Sequence, residues 1–167
     1  GEEGLMRRVT GLNTDKQGQV EFQPESNHRS HHVRNEKIHH VRRALKMPEL
    51  IGDDNGDLLI VGWGSSRGAI EECVLSLRQK GKKVSGMHFK IVYPLPLILK
   101  DVFLKFERIV SVEMAYGDQL KPTDFAILLR SETLCDVKPL VSDATGRPLK
   151  PNELIEKSLT LLSEVTV

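Results

Sequence analysis

The sequence predicts an α/β fold, a three-layer α/β/α sandwich built on a mostly parallel sheet, and three observations carry that expectation. From Asp57 onward, apolar segments of strand length alternate with segments of helical spacing. The first of them, "DLLIVGW" at 57–63, runs apolar without alternation once past Asp57, as suits a parallel strand covered on both faces. Four such strands with helices between them form a sheet sheathed by helices through right-handed crossovers.

Each element follows from local chemistry. After "DLLIVGW", Ser65 or Ser66 suits an N-cap, Ile70, Val74 and Leu77 keep helical spacing, and Gly81 suits the C-terminal stop. "KKVSGMHFKIVY" at 82–93 reads as the second strand. "PLPLILKDVFLKF" at 94–106 opens with prolines tolerated in a first turn and repeats apolar residues at 95, 98, 99, 102, 103 and 106, a helix. "RIVSVEM" at 108–114 is the third strand, followed by a turn and a helix from about Pro122. "LCDVKPLV" at 134–141 is the fourth strand, and the last helix is preceded by Pro151 or capped by Asn152. No internal repeat or low-complexity run interrupts the pattern.

Upstream, residues 1–52 read as a connector and 53–167 as the α/β domain. The stretch "TGLNTDKQGQVEFQPESN" at 10–27 favours turns and extended backbone without a core of its own. A basic helix is expected at about 28–47, with Val33, Ile38, Val41 and Leu45 on a thin apolar stripe and Pro48 ending it. "ELIGDDNGD" at 49–57 reads as a linker.

The composition narrows the function classes. A chain of 167 residues supports one core with appendages, and the net charge of +1 conceals a segment, 28–47, with six cations against Glu36 alone. Cys73 and Cys135 lack the spacing of a metal knuckle or a disulfide framework, which suits a reducing cytoplasm. No apolar run reaches the roughly 18–20 residues that span a bilayer, so no membrane association is expected. The chain opens at Gly1 without an initiator Met, which reads as a piece of something longer or a tag remnant.

The "GWGSSRG" turn is the first candidate site. A dinucleotide fingerprint wants G-x-G-x-x-G and an acidic residue ending the second strand. Here the glycines are Gly62, Gly64 and Gly68, one residue too long, and the second strand ends without a carboxylate, although Lys90 could meet a 2'-phosphate. A small Rossmann-like nucleotide-binding module therefore stands as an alternative to a plain strand-to-helix turn, whose amides can still face an anion or a neighbour. Histidines 28, 31, 32, 39 and 40 crowd the basic segment, and His28 and His32 lie one helical turn apart, within reach of one metal ion; no Cys joins them and Glu36 is distant, so a solvated basic face is the favoured reading. A basic interaction module is the other alternative, but the segment lacks aromatic residues for base stacking, and nucleic-acid binding is not expected. No G-x-S-x-G elbow, P-loop or H-E-x-x-H is present. Glu71 and Glu72 read as solvent-facing helix residues. Glu113 ends an apolar strand where ligands and partners dock in open α/β sheets, or it caps a helix.

The ordered segments "DLLIVGWGSSRGAIEEC", "GKKVSGMHFKIVYPLP", "FERIVSVEMAYGDQL" and "GRPLKPNELIE" resemble the C-terminal, transketolase C-terminal-like domain of the alpha subunit of 2-oxoacid:ferredoxin oxidoreductases, most like the 2-oxoglutarate type. "TGLNTDKQGQ" and "NHRSHHVRNEKI" resemble the connector that precedes it. The resemblance implies that the complete enzyme binds thiamine diphosphate and magnesium, decarboxylates a 2-oxoacid, passes electrons through iron–sulfur clusters to ferredoxin and delivers the acyl group to coenzyme A. It places the diphosphate-binding domain in a beta subunit and the cofactor-activating glutamate in an upstream alpha-subunit domain, so it implies no cofactor in this chain, a role in buttressing and assembly, an oligomer, and no activity of the fragment alone. No catalytic, cofactor or metal residue is assigned here. The interface or positioning candidates are Gly62, Gly64, Ser65, Glu113, Gly117 and Gln119, with Arg34 and Lys37 in the connector. The chain departs from the common "TGLEHDE" of the family at Asn13, Thr14 and Lys16, and has Ala115 where many members have Asn.

Overall fold

The computed structural model of the chain describes residues 1–6, 9–118 and 120–164. It divides into two compact units, Gly1–Ala44 and Leu45–Val167.

In the first unit, Thr14 and Val20 form an isolated antiparallel bridge around a turn organised by Asp15. Helix α1 (Pro24–Ala44) follows, starting and ending three to four residues ahead of the expected 28–47. Pro24 is preset for a first turn, and Pro48 disfavours helical backbone at the residue before it. Glu25 lies in the first turn and Arg42 and Arg43 in the last, each sign complementing the helix dipole. Only Ser26 of α1 is buried, while Val33 is 61% exposed. A polar helix of this kind needs outside anchoring, and Arg34 supplies some of it by donating to Asn13 Oδ1 at 2.8 Å.

The second unit carries a sheet of order β1-β3-β2-β4-β5 among the described residues. Its strands are β1 (Leu50–Ile51), β2 (Leu58–Trp63), β3 (Val84–Phe89), β4 (Ile109–Glu113) and β5 (Val137–Ser142). All the pairings from β3 through β2 and β4 to β5 are parallel. Strand β1 was not expected; it pairs antiparallel with β3, Leu50 opposite Met87 and Ile51 opposite Gly86. Two residues carry no readable alternation, and they lie within the second unit.

The core follows the pleat of β2. Leu58 and Ile60 point to one face, where α2 (Arg67–Gln79) contributes Ile70, Val74 and Leu77 and α5 (Pro151–Ser163) contributes Leu154. Leu59 and Val61 point to the other, toward Leu99 and Phe103 of α3 (Leu99–Phe103) and Phe125 and Leu129 of α4 (Asp124–Thr133). These four side chains are fully buried, each burial stabilising by about 1.5–3 kcal/mol, whereas Trp63 at the strand's end is 40% exposed. Ile70 seats over glycine: a Cβ on Gly86 would lie 2.8 Å from Ile70 Cγ2 and 3.1 Å from Val74 Cγ2. Cys73 is buried in this layer, and burial pushes its thiol up to about 11. Helix α3 has five residues where 94–106 was expected to be helical, because prolines 94 and 96 hold the preceding chain out of the helical region. No helix among the described residues is long and apolar enough to cross a membrane.

Helix α4 ends on Leu134, a residue expected to begin the fourth strand; it adopts φ 57° and is 81% exposed. Left-handed backbone costs a non-glycine residue about 1–2 kcal/mol, and glycine is the favoured occupant at this position. Leu134→Gly is therefore expected to stabilise the fold by about 0.5–1 kcal/mol after the greater unfolded-chain entropy of glycine is deducted, measured as a rise in the urea midpoint.

Candidate functional site

The candidate residues gather where β2 and β4 end. Beyond Trp63, the chain makes a 3₁₀ turn, Gly64–Ser66, and enters α2 at Arg67. Gly64 has φ +63° and faces open space, so its lack of a side chain serves the turn. Gly62 serves close approach: a Cβ there would meet Ser66 Oγ at 2.5 Å, Ile70 Cδ1 at 2.6 Å and the Val112 carbonyl at 3.0 Å. Gly68 faces open space. In a dinucleotide fingerprint the third glycine brings helix and strand together; here Gly62, inside the strand, has that duty. Ser66 occupies the cap position of α2, but its Oγ donates back to the Trp63 carbonyl at 2.9 Å. Ser65 is exposed, and Arg67 pairs with Glu71 at 2.7 Å, so the one cation at the helix start is already neutralised.

Strand β3 pins this turn through a residue that sequence reasoning passed over. His88 Nε2 lies 3.0 Å from the Gly64 carbonyl. A carbonyl only accepts, so Nε2 is the donor, and the buried Nδ1 has no partner among the described residues. A cleft of about 420 Å³ opens beside it, with Met47 and Leu50 on an apolar side and Arg67, Glu71, His88 and Lys90 on a polar one.

Glu113 ends β4 and is 1% exposed. Its carboxylate accepts from Thr123 Oγ1 and from the Phe125 and Ala126 amides, both at 3.2 Å. Those amides belong to the first turn of α4, which has no side-chain cap of its own from Thr123. Glu113 thus caps the helix from a neighbouring strand, answering orphan amides and the positive end of the dipole together. Gly117 touches the same corner, since a Cβ on it would lie 2.8 Å from Thr123 Cγ2 and 3.0 Å from the Thr123 nitrogen. Between them, Asp118 Oδ1 accepts from the Leu120 and Lys121 amides at 2.8 Å each, and Oδ2 accepts from the Tyr116 hydroxyl at 3.0 Å. The Lys121 amide, then the Leu120 amide and the Tyr116 hydroxyl, hold the Asp118 carboxyl below its ordinary range. Gln119 lies outside the described residues. In the first unit, Arg34 is tied to Asn13 and Lys37 is exposed. Among the described residues, no three His, Cys, Asp or Glu side chains converge as metal ligands.

Comparison with known proteins follows this geometry. No protein-family model matches the chain. It is 30% identical over 142 residues, 83% of its length, to the 2-oxoglutarate oxidoreductase subunit KorA of Mycobacterium tuberculosis, of which it covers 20%. It is 26% identical over 167 residues, 95% of its length, to subunit alpha of 2-oxoacid:ferredoxin oxidoreductase 1 of Aeropyrum pernix, of which it covers 25%. The chain is similar in sequence to part of each of these oxidoreductase subunits. It spans a fifth to a quarter of the length of those relatives. Its fold matches part of a solved 2-oxoglutarate:ferredoxin oxidoreductase from Magnetococcus marinus with 2-oxoglutarate, coenzyme A and succinyl-CoA bound, at a TM-score of 0.81 and 24% identity, over 96% of this chain and 27% of that one.

Replacing Glu113 by Gln turns one accepting oxygen into a donor against buried N–H groups. This substitution is expected to cost about 1–3 kcal/mol in urea unfolding, with the earliest loss of amide-exchange protection at Phe125 and Ala126. For Asp118, the depressed folded value means that its contribution is present above 3.8 and is lost as pH falls through that folded value. Carbon-detected titration should show the Asp118 carboxyl changing below pH 3.8, together with the Leu120 and Lys121 amide shifts.

Proposed function

We propose that the chain is a non-catalytic assembly domain, with its connector, of the alpha subunit of a thiamine diphosphate-dependent 2-oxoacid:ferredoxin oxidoreductase. The 2-oxoacid of this reading is 2-oxoglutarate, and the whole enzyme oxidatively decarboxylates it to the acyl-CoA. The observation that carries this reading is the 30% identity to KorA across 83% of the chain. The site geometry supports it as well, because the groups at the strand ends are spent on holding the fold: Glu113 on α4, His88 on the Gly64 carbonyl, and Glu71 on Arg67.

The chain's own residues do not fit thiamine diphosphate. The start of α2 offers a diphosphate no free cation, and no carboxylate among the described residues joins others as a set of magnesium ligands. Thiamine diphosphate, magnesium and iron–sulfur clusters belong, on this reading, to the rest of the complex, and no catalytic step runs through residues of this chain. The partners are a beta subunit and the remaining alpha-subunit domains, in an oligomer that uses ferredoxin and coenzyme A, in the cytoplasm. Ile91, Tyr93, Leu97 and Ile98, between β3 and α3, are large apolar residues left exposed, and they suit such a docking role.

The test mixes the chain with the rest of the alpha subunit and the beta subunit and follows 2-oxoglutarate-dependent viologen reduction. The chain alone is expected to show none, the mixture to turn over, and Tyr93→Glu/Leu97→Glu to weaken assembly about tenfold or more in size-exclusion titrations. Turnover by the chain alone, or a mixture that stays unassociated, would overturn the reading.

A further inference from the structure

Within the unit Gly1–Ala44, a hollow of about 220 Å³ lies between the Thr14–Lys16 turn and α1, and the charges around it are unequal. Lys16, Arg29 and Arg34 line it against one carboxylate, Asp15. That carboxylate is committed to the turn, its Oδ1 accepting from the Gln17 amide at 2.9 Å and the Gln19 amide at 2.8 Å. Neither guanidinium rests on a carboxylate. Arg34 donates to Asn13 Oδ1 at 2.8 Å and lies 3.3 Å from His31 Nδ1, and Arg29 reaches Ser26 Oγ at 3.4 Å. Among the described residues, none of the three cations forms an ion pair. Asn13 is itself held, its Nδ2 donating to Asn27 Oδ1, so the Arg34 guanidinium is positioned in advance of any ligand.

We propose that this hollow binds a phosphoryl group, with Arg34 as the positioned fork and Lys16 and Arg29 completing the charge. Three cations against one carboxylate leave an excess of two, which matches the charge of about −1.5 to −2 on a phosphate monoester at neutral pH and exceeds that of a single carboxylate. The planar fork of arginine suits two phosphate oxygens at once.

The test titrates the full chain with inorganic phosphate, glycerol phosphate or, as a control at equal ionic strength, acetate, followed by calorimetry and by the arginine side-chain NMR signals. Saturable phosphate binding that shifts the Arg34 signal is expected. It should weaken about tenfold or more in Lys16→Glu and in Arg34→Gln, and less than about twofold in Lys37→Glu, which alters the same helix outside the hollow. Tighter binding of glycerol phosphate assigns an ester and tighter binding of the free ion assigns phosphate itself; either supports the site. Acetate binding equal to phosphate, an effect of Lys37→Glu as large as that of Lys16→Glu, or an acidic peptide or RNA that binds without displacement by phosphate would overturn it. Circular dichroism establishes that each variant is folded, and the exposed Lys16 keeps that comparison available.

Discussion

Strand β2 has a strand on each edge and a helical layer on each face, and the rest of residues 45–167 is arranged to let it be so enclosed. An interior strand with no solvent side must be apolar wherever its side chains point, which Leu58 through Val61 satisfy. Its neighbours must then come close. The helix that leaves β2 doubles back onto the strand through Gly62 and Gly64, and Ile70 settles over Gly62 and Gly86 on adjacent strands. Larger residues at 62 or 86 would lift α2 from the sheet, and the layer shared by α2 and α5 would lose its density.

Enclosure also dictates the chemistry at the strand ends. A parallel sheet delivers the carboxyl ends of β2 and β4 to one side, together with the first turns of the helices that follow them. Those first turns carry amides without partners inside the helix. Glu113 answers them at α4, and a buried carboxylate is tolerable there because hydroxyl and amide donors converge on it. Gly117 and Asp118 then fold the intervening loop over the same corner. The polar groups of this edge are thereby occupied in bracing the domain.

The first unit has the opposite character. Helix α1 buries almost nothing apolar, and its order comes from polar ties such as Arg34 to Asn13 and Asn13 to Asn27. Charge that a folded core would exclude is retained on it. The Aeropyrum alpha subunit aligns over 95% of the chain, so that alignment takes in this unit as well as the sheet unit.

The sequence by itself determined the layers: a continuously apolar strand at 57–63, three further strands and the helices between them, because strand and helix periodicities are local properties of the chain. It also marked Gly62, Gly64 and Glu113 as unusual, though it left open whether Glu113 met a ligand or a helix. Tertiary structure alone decided that Glu113 caps α4, that His88 holds a carbonyl 24 residues away, and that Leu50 and Ile51 form an edge strand. The physical reason is common to all three. Each depends on which segments the sheet brings side by side, and a hydrogen bond between distant residues leaves no periodic trace in either of them.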